Sequence, residues 1–371
     1  MKDKLKVDAF TGVTFDEISG RHKVYLKTAD KLGDEVDFRE IPYVDSRLKL
    51  NIPYKYIIHN LFFYPRIAKK YIRDDSDILH FFSQEETYLV KSIKTSAPKI
   101  ATCLDIIGLT LNEYDFLDRK FKSYSINAMK DVDKIITISD FTKNELINYT
   151  NISPNKIKTI YLGADDEFKK LSSNGIEDAR IEYNLPNSYI LYVGSEQSRK
   201  NFIFIIKAFY RLKKKYNLND LKLIKAGSPQ ISDAQRNKIF DLIKELNLQK
   251  DVIFTNYVSE EYLVKLYNAA DIFVYPSLYE GFGLPPLEAM ACGCPVITSN
   301  TSSLPEVVGD AGIMIDPFDV DSLTEAMHKI LTDNDLKKEL SKKSLERAKF
   351  FNWEKTADQT LEVYEEVLNN K

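Results

Sequence analysis

The sequence predicts an α/β protein built from two doubly wound, Rossmann-like domains facing a cleft. Short apolar runs alternate with amphipathic stretches along the whole chain, the pattern of βα units on a parallel sheet. At 371 residues the chain is longer than one hydrophobic core usually serves. A polar break over residues 165–187, holding Ser172, Ser173, Gly175 and Pro186, lies near its middle and is the best linker candidate. The expected domains are 1–165 and 166–352, followed by a terminal helix over 353–371.

The elements follow in order. Gly20 and Arg21 precede a helical pattern over 24–32. DILHFFSQ puts His80 at a strand end, and KIATCLDI, KIITIS and KIKTIYLG read as the next strands. SDFTKNEL, from Ser139, is a capped helix start directly after a strand. Beyond the break, YILYVGS, LKLIKAGS, DVIFTNYV, DIFVYPS and PVITSN read as strands. Between the first two, NFIFIIKAFYRLKKKY places Phe202, Ile205, Ile206 and Phe209 on one helical face. WEKTADQTLEVYEEVL, from Trp353, is an amphipathic helix.

Composition narrows the function classes. Apolar residues make up 44 % and charged residues 29 %, ordinary for a soluble globular chain. A formal net charge of −3 gives no reason to expect a nucleic-acid partner. Cys292 and Cys294 are too close for an ordinary disulfide, and with Cys103 and four histidines they suggest no zinc site. A reduced, cytoplasmic setting is expected. No apolar run reaches membrane-spanning length, and no signal peptide is visible. Residues 47–73 carry seven Lys or Arg, six Tyr or Phe, and no Asp or Glu. Such a run can attach to an anionic membrane face or hold a lipid-linked acceptor; it can equally be a solvated helix face with aromatics in the core. Peripheral attachment at the inner face of a membrane is the most that is expected.

The most informative segment is 275–300, YPSLYEGFGLPPLEAMACGCPVITSN. It sets Glu280 and Glu288, with seven residues between them, on either side of a glycine turn that opens into a helix. Gly281 and Gly283 let the backbone approach a ligand, and Pro285 and Pro286 suit a helix start because no amide donor is needed there. A helix N-terminus favours anions, so a diphosphate fits this turn. The prolines leave Gly283, Leu284 and Leu287 as the backbone donors. Carboxylates before and after the turn can accept hydrogen bonds from sugar hydroxyls. Arg199 and Lys200 follow the strand YILYVGS, which contains Gly194, within a short loop where two cations could neutralise a departing diphosphate. These residues describe a sugar-nucleotide site.

The E-x7-E segment resembles the signature of the retaining glycosyltransferases of family 4, which have the GT-B fold. The likeness extends through YVGSEQSRKNFIFIIKAFYRL, VSEEYLVKLYNAADIFVYPS and SSLPEVVGDAGIMIDPFDVDSL, covering nearly all of the second half. The resemblance implies that Glu288 binds the donor ribose and Glu280 the transferred sugar. Phe282, Gly283 and Leu284 would line the turn, Lys200 and Arg199 would meet the phosphates, and Val258 would adjoin the nucleobase. Gly20 and Arg21 match the family's first-domain glycine loop, near the phosphates and acceptor. Many relatives carry a His-Asp pair where this chain has Leu104 and Asp105. Asp105 would keep a sugar or acceptor contact, and His80 is a spatial candidate for the missing histidine. Ser195 stands where some relatives have arginine. The last helix would cross back onto the first domain.

The resemblance implies transfer of a hexose from a nucleotide-diphosphate sugar to a hydroxyl of a glycan or lipid-linked acceptor, with retention, in polysaccharide biosynthesis. The wording is most like mannosyltransferases, favouring GDP-mannose; UDP-glucose and UDP-N-acetylhexosamine remain alternatives, as does a non-catalytic nucleotide or glycan binder. DVD at 131–133 and 319–321 lies in charged helix-edge contexts without other ligands nearby, so no essential metal and no cofactor are expected. A nicotinamide dehydrogenase shares the sheet architecture, but no G-x-G-x-x-G follows any predicted strand.

Overall fold

The computed structural model describes residues 3–12, 20–43, 54–111 and 114–370. They fall into two compact units, Met1–Gly163 with Trp353–Lys371, and Ala164–Asn352.

Among the described residues the first unit holds six parallel strands: β1 (Leu5–Phe10), β2 (Val36–Ile41), β3 (Ile78–Phe81), β4 (Lys99–Cys103), β5 (Lys134–Thr137) and β6 (Ile157–Thr159). Their order is β2-β1-β3-β4-β5-β6. Successive side chains on a strand point to opposite faces, and here both faces are covered. Ile135 therefore packs in one core with Phe10, Phe81 and Ala101, while Ile136 packs in the other with Val7, Ile78 and Ile100. The second core is closed by the helix Trp353–Asn369, which contributes Ala357, Val363, Tyr364 and Val367 at helical spacing. Thr356 Oγ1 donates to the Tyr161 carbonyl at 2.7 Å, tying the start of this helix to the chain beyond β6.

The second unit also has six parallel strands: β7 (Tyr189–Val193), β8 (Lys222–Ala226), β9 (Val252–Asn256), β10 (Ile272–Tyr275), β11 (Val296–Ser299) and β12 (Ile313–Ile315). Their order is β12-β11-β10-β7-β8-β9. From β7 the chain moves outward through β8 and β9, then returns to build β10 on the other side of β7. The loops leaving β7 and β10 therefore diverge, and a crevice at their carboxyl ends is where such sheets bind ligands. The helix Phe202–Tyr216 buries the four predicted apolar residues, together with Phe204, Ala208 and Leu212. Its last turn carries Lys213, Lys214 and Lys215, which favour the negative end of the helix dipole.

The break at 165–187 is not a bare linker. It holds the helix Ser173–Glu182, whose first turn is capped by Ser172 Oγ accepting from the Gly175 amide at 3.1 Å. Phe168 packs edge-on against Tyr267 with ring centroids 5.9 Å apart, so the segment belongs to the second unit's core. Polarity suggested a linker, but serine caps and a few buried anchors suffice to fold it.

Candidate active site

The site in the second unit is built from the loops after β7 and β10. Leaving β7, the chain passes Gly194 and makes a tight turn, Ser198–Lys200, that ends at Asn201 in a left-handed conformation, φ 61°. Asn201 Nδ2 donates to the carbonyls of Pro276 at 3.2 Å and Pro317 at 2.9 Å. The Leu278 amide donates to the Arg199 carbonyl at 2.7 Å. These bonds join two loops distant in sequence, so the cations of one face the carboxylate of the other.

Lys200 Nζ lies 2.6 Å from Glu280 Oε1 and donates to Tyr275 Oη at 2.7 Å. Arg199 Nη1 is 3.6 Å from Glu280 Oε2. Burial would push the Glu280 carboxyl up, but the adjacent charges of Lys200 and Arg199 outweigh it and hold the group below its ordinary value. Glu280 is therefore an anion at neutral pH. Two cations against one carboxylate leave this cluster net positive, suited to a diphosphate.

The bend is held from behind by hydroxyls. Ser302 Oγ accepts from the Glu280 amide at 3.2 Å, and Ser303 Oγ lies 2.9 Å and 2.6 Å from the carbonyls of Glu280 and Phe282. Gly283 has φ 128°, a backbone conformation that calls for glycine, and a Cβ there would sit 2.9 Å from Leu304 Cδ2. The helix Leu284–Ala291 follows. Its Leu287 amide donates to the Gly283 carbonyl at 3.2 Å, which corrects the expectation that Leu287 could serve a ligand. Gly283 and Leu284 remain the amides of the first turn. Glu288, buried in this helix, accepts from Tyr267 Oη at 3.1 Å. Burial, then the Glu288 charge, raise the Tyr267 phenol well above its ordinary value, so it stays a donor.

The other predicted residues fall as follows. Phe282 is buried and packs edge-on against Phe351, 5.8 Å between ring centroids, so only its backbone borders the turn. Val258 follows β9, just before the helix Glu260–Ala269, which Ser259 caps. In the first unit, Gly20 opens the helix Gly20–Lys31, while the loop before it and the Arg21 side chain lie outside the described residues. Asp105 follows β4, and its Oδ1 accepts from Gln84 Nε2 at 3.3 Å and the Ile107 amide at 3.1 Å. It lines a cavity of about 220 Å³ with Gly12, Gln84, Glu86, Lys122 and Ser125, beyond the carboxyl ends of β1, β3 and β4.

His80 is a core residue, contrary to the expectation that it stands in for a missing catalytic histidine. It is 1 % exposed, with Nδ1 2.7 Å from Tyr364 Oη, Nε2 2.8 Å from Thr102 Oγ1, and its ring stacked on Phe82. Burial pulls its pKa down to about 3. Both nitrogens are engaged and the ring is neutral. The DVD residues have structural partners: Asp319 caps the helix Val320–Thr332, Asp321 pairs with Arg211, and Asp133 accepts from the Lys99 amide. Among the described residues no group of three or more His, Cys, Asp or Glu is arranged to hold a metal ion. Sequence reasoning missed Tyr275, Ser302 and Ser303, because lone hydroxyls give no spacing signal.

The sequence profile described as "Glycosyltransferase Family 4" matches residues 20–168, and "Glycosyl transferases group 1" matches 176–347. The O-antigen chain mannosyltransferase B of Escherichia coli is 34 % identical over 304 residues, which cover 81 % of this chain and 77 % of that protein. The serotype-specific mannosyltransferase WbdA of Escherichia coli is 31 % identical over 302 residues, 79 % of this chain but only 37 % of the relative's length. The chain therefore spans about a third of that relative. The crystal structure of Anabaena Alr3699/HepE in complex with UDP-glucose superposes with a TM-score of 0.79 at 17 % identity, covering 99 % of this chain and 100 % of the other. The two six-stranded parallel sheets are those of the GT-B fold, and the chain belongs to glycosyltransferase family 4.

Proposed function

We propose that the protein transfers a hexosyl group from a nucleotide-diphosphate sugar, GDP-mannose before the UDP-sugars, to a hydroxyl of a glycan or lipid-linked acceptor, with retention at the anomeric carbon. The observation that carries this reading is the Lys200–Glu280 pair at 2.6 Å, beside a glycine turn whose helix holds the buried Glu288. Likeness to the two mannosyltransferases supports mannose as the sugar.

In this reading the diphosphate lies at the start of the helix Leu284–Ala291, against Lys200 and Arg199. The bond between the anomeric carbon and the phosphate oxygen breaks, and its electron pair stays on the phosphate. The acceptor oxygen bonds to the same face of the sugar and gives its proton to that phosphate oxygen. Positive charge grows on the sugar ring near Glu280, while negative charge grows beside the two cations and the helix terminus. No metal and no cofactor take part. Incubating the protein with GDP-mannose and a mannoside acceptor, then reading the anomeric coupling of the product by NMR, tests this. An α product from the α donor is expected; a β product overturns the mechanism.

We propose also that the protein meets a membrane only peripherally, through an aromatic and basic face of the first unit. Within the described part of the 47–73 run, Leu61, Phe62, Phe63 and Tyr71 are exposed, and Phe116 and Leu117 of the helix Phe116–Ala128 add to them. Ile57, Leu61, Phe62, Leu117 and Tyr124 share one groove, and Lys120 Nζ lies 4.3 Å from the Phe116 ring centroid. Exposed aromatics beside lysines suit an anionic lipid surface. No helix among the described residues is long and apolar enough to cross a membrane.

A further inference from the structure

Behind the site loop lies a buried ion cluster that the proposed chemistry does not use. Lys225, in β8, is 0 % exposed, and its Nζ is 3.1 Å from Oε1 of Glu196, whose side chain is also fully buried. Arg236, on the helix Asp233–Glu245, reaches Oε2 of the same glutamate at 3.4 Å and donates from Nη2 to Asn256 Oδ1 at 3.1 Å. Lys225 Nζ also donates to the Gly227 carbonyl. Burial pulls the lysine below its ordinary value, and the adjacent Glu196 carboxylate only partly opposes this.

Such a cluster is costly. Removing a carboxylate and an ammonium from water costs several kcal/mol each, and an apolar pair of the same volume often packs at least as well. What the ion pairs add is a tether between β8, the helix Asp233–Glu245 and the segment after β7, and Glu196 sits where a tether matters. It lies between Gly194, which follows β7, and the Ser198–Lys200 turn. Its amide donates to the Pro229 carbonyl at 2.8 Å. The preceding Ser195 carbonyl accepts from Tyr192 Oη at 2.5 Å. Tyr192 stacks on Tyr275, with ring centroids 6.1 Å apart, and Tyr275 Oη accepts from Lys200. Gly227, with φ 105°, brings its backbone so near Gly194 that a Cβ would sit 3.0 Å from the Gly194 carbonyl oxygen. A continuous line of contacts thus runs from the buried cluster to Lys200.

We propose that Glu196, clamped by Lys225 and Arg236, is a positioning residue that fixes the 194–200 loop, and through it the placement of Lys200 and Arg199 against the donor diphosphate. The kinetic consequence rests on the transfer reaction proposed above; the clamping does not. The test compares the full-length wild type with Glu196→Leu/Lys225→Met, which replaces the pair by apolar side chains. The double variant should melt within a few degrees of wild type. Its 194–201 peptide should exchange amide hydrogens at least about 10-fold faster, and its kcat/KM for the sugar nucleotide should fall at least about 10-fold, with acceptor KM unchanged. Wild-type exchange in that peptide together with wild-type kcat/KM would overturn the proposal, since the cluster would then serve packing alone. If the double variant does not fold, Arg236→Gln decides, because it removes the partly exposed cation of the clamp and leaves the Lys225–Glu196 pair in place. Faster exchange in 194–201 at an unchanged melting temperature supports the proposal, and unchanged exchange rejects it. A wild type that binds nucleotide but transfers nothing would defeat the proposed reaction while leaving the exchange result to decide the clamp.

Discussion

Lys200 and Glu280 come together from positions 80 apart in the sequence, and the lysine charge helps to keep the Glu280 carboxyl ionised. Lys200→Ala should therefore lower kcat by about 10²- to 10³-fold, the usual cost of losing one donor to a developing anion. Glu288→Gln keeps the shape of the buried group and an acceptor for Tyr267, so it should fold while raising donor KM. Steady-state kinetics beside a thermal melt check both; wild-type kinetics in the two variants would remove the site assignment. His80 gives a stability prediction. Its folded pKa of about 3 lies below the ordinary value of 6.5, so the unfolded chain takes up the proton first as pH falls. The stability it contributes is full above about pH 6.5 and is lost progressively as pH falls toward 3. Between pH 6.5 and 4.5 the loss should be roughly 2–3 kcal/mol. Urea unfolding across that range should show a shallower decline for His80→Gln, which has no such proton to gain. Equal slopes would mean that the ring is not held neutral.

At the scale of an element, the start of the helix Phe202–Tyr216 shows how one residue sets a site. Asn201 has φ 61° and also bonds two carbonyls from other loops. Asn201→Gly keeps the backbone conformation and loses only the side-chain bonds, whereas Asn201→Ala loses both. The alanine variant should be less stable than the glycine variant by about 1 kcal/mol, read from urea midpoints. Both should lose transfer activity, because the turn carrying Arg199 and Lys200 is no longer fastened to the loop after β10. The pattern R-K-N was legible in the sequence as a family match. The left-handed asparagine and its two bonds were not, since both acceptors are backbone carbonyls that spacing does not reveal.

At the scale of the molecule, the two units have different strand orders, and each buries some aromatic residues fully while exposing others. In the second unit Tyr189, Tyr192, Tyr267, Tyr275 and Phe273 are fully buried. In the first unit Phe62 and Phe116 remain 59 % and 68 % exposed. The protein should sediment with vesicles containing about 30 % phosphatidylglycerol and not with pure phosphatidylcholine, because the lysines beside these rings need an anionic surface. Phe62→Ser/Phe116→Ser should lower the bound fraction several-fold without changing the melting temperature. Equal binding to both vesicle types, or no effect of the double substitution, would reject the lipid face.

Alternating apolar runs and helical periodicity were enough to mark nine of the strands and the main helices, because burial on both sides of a parallel sheet imposes those patterns locally. β1, β2 and β12 were not singled out, being short or interrupted by charge, as in VDFREI. The E-x7-E bend was likewise a local feature, since its glycine and prolines dictate a turn followed by a helix. Which residues face each other was another matter. That His80 is sealed in a core by Tyr364, that 165–187 folds rather than links, and that Lys225 is buried against Glu196 all depend on which strands lie side by side. Strand order is fixed by contacts between segments far apart in the chain, and no local pattern records it.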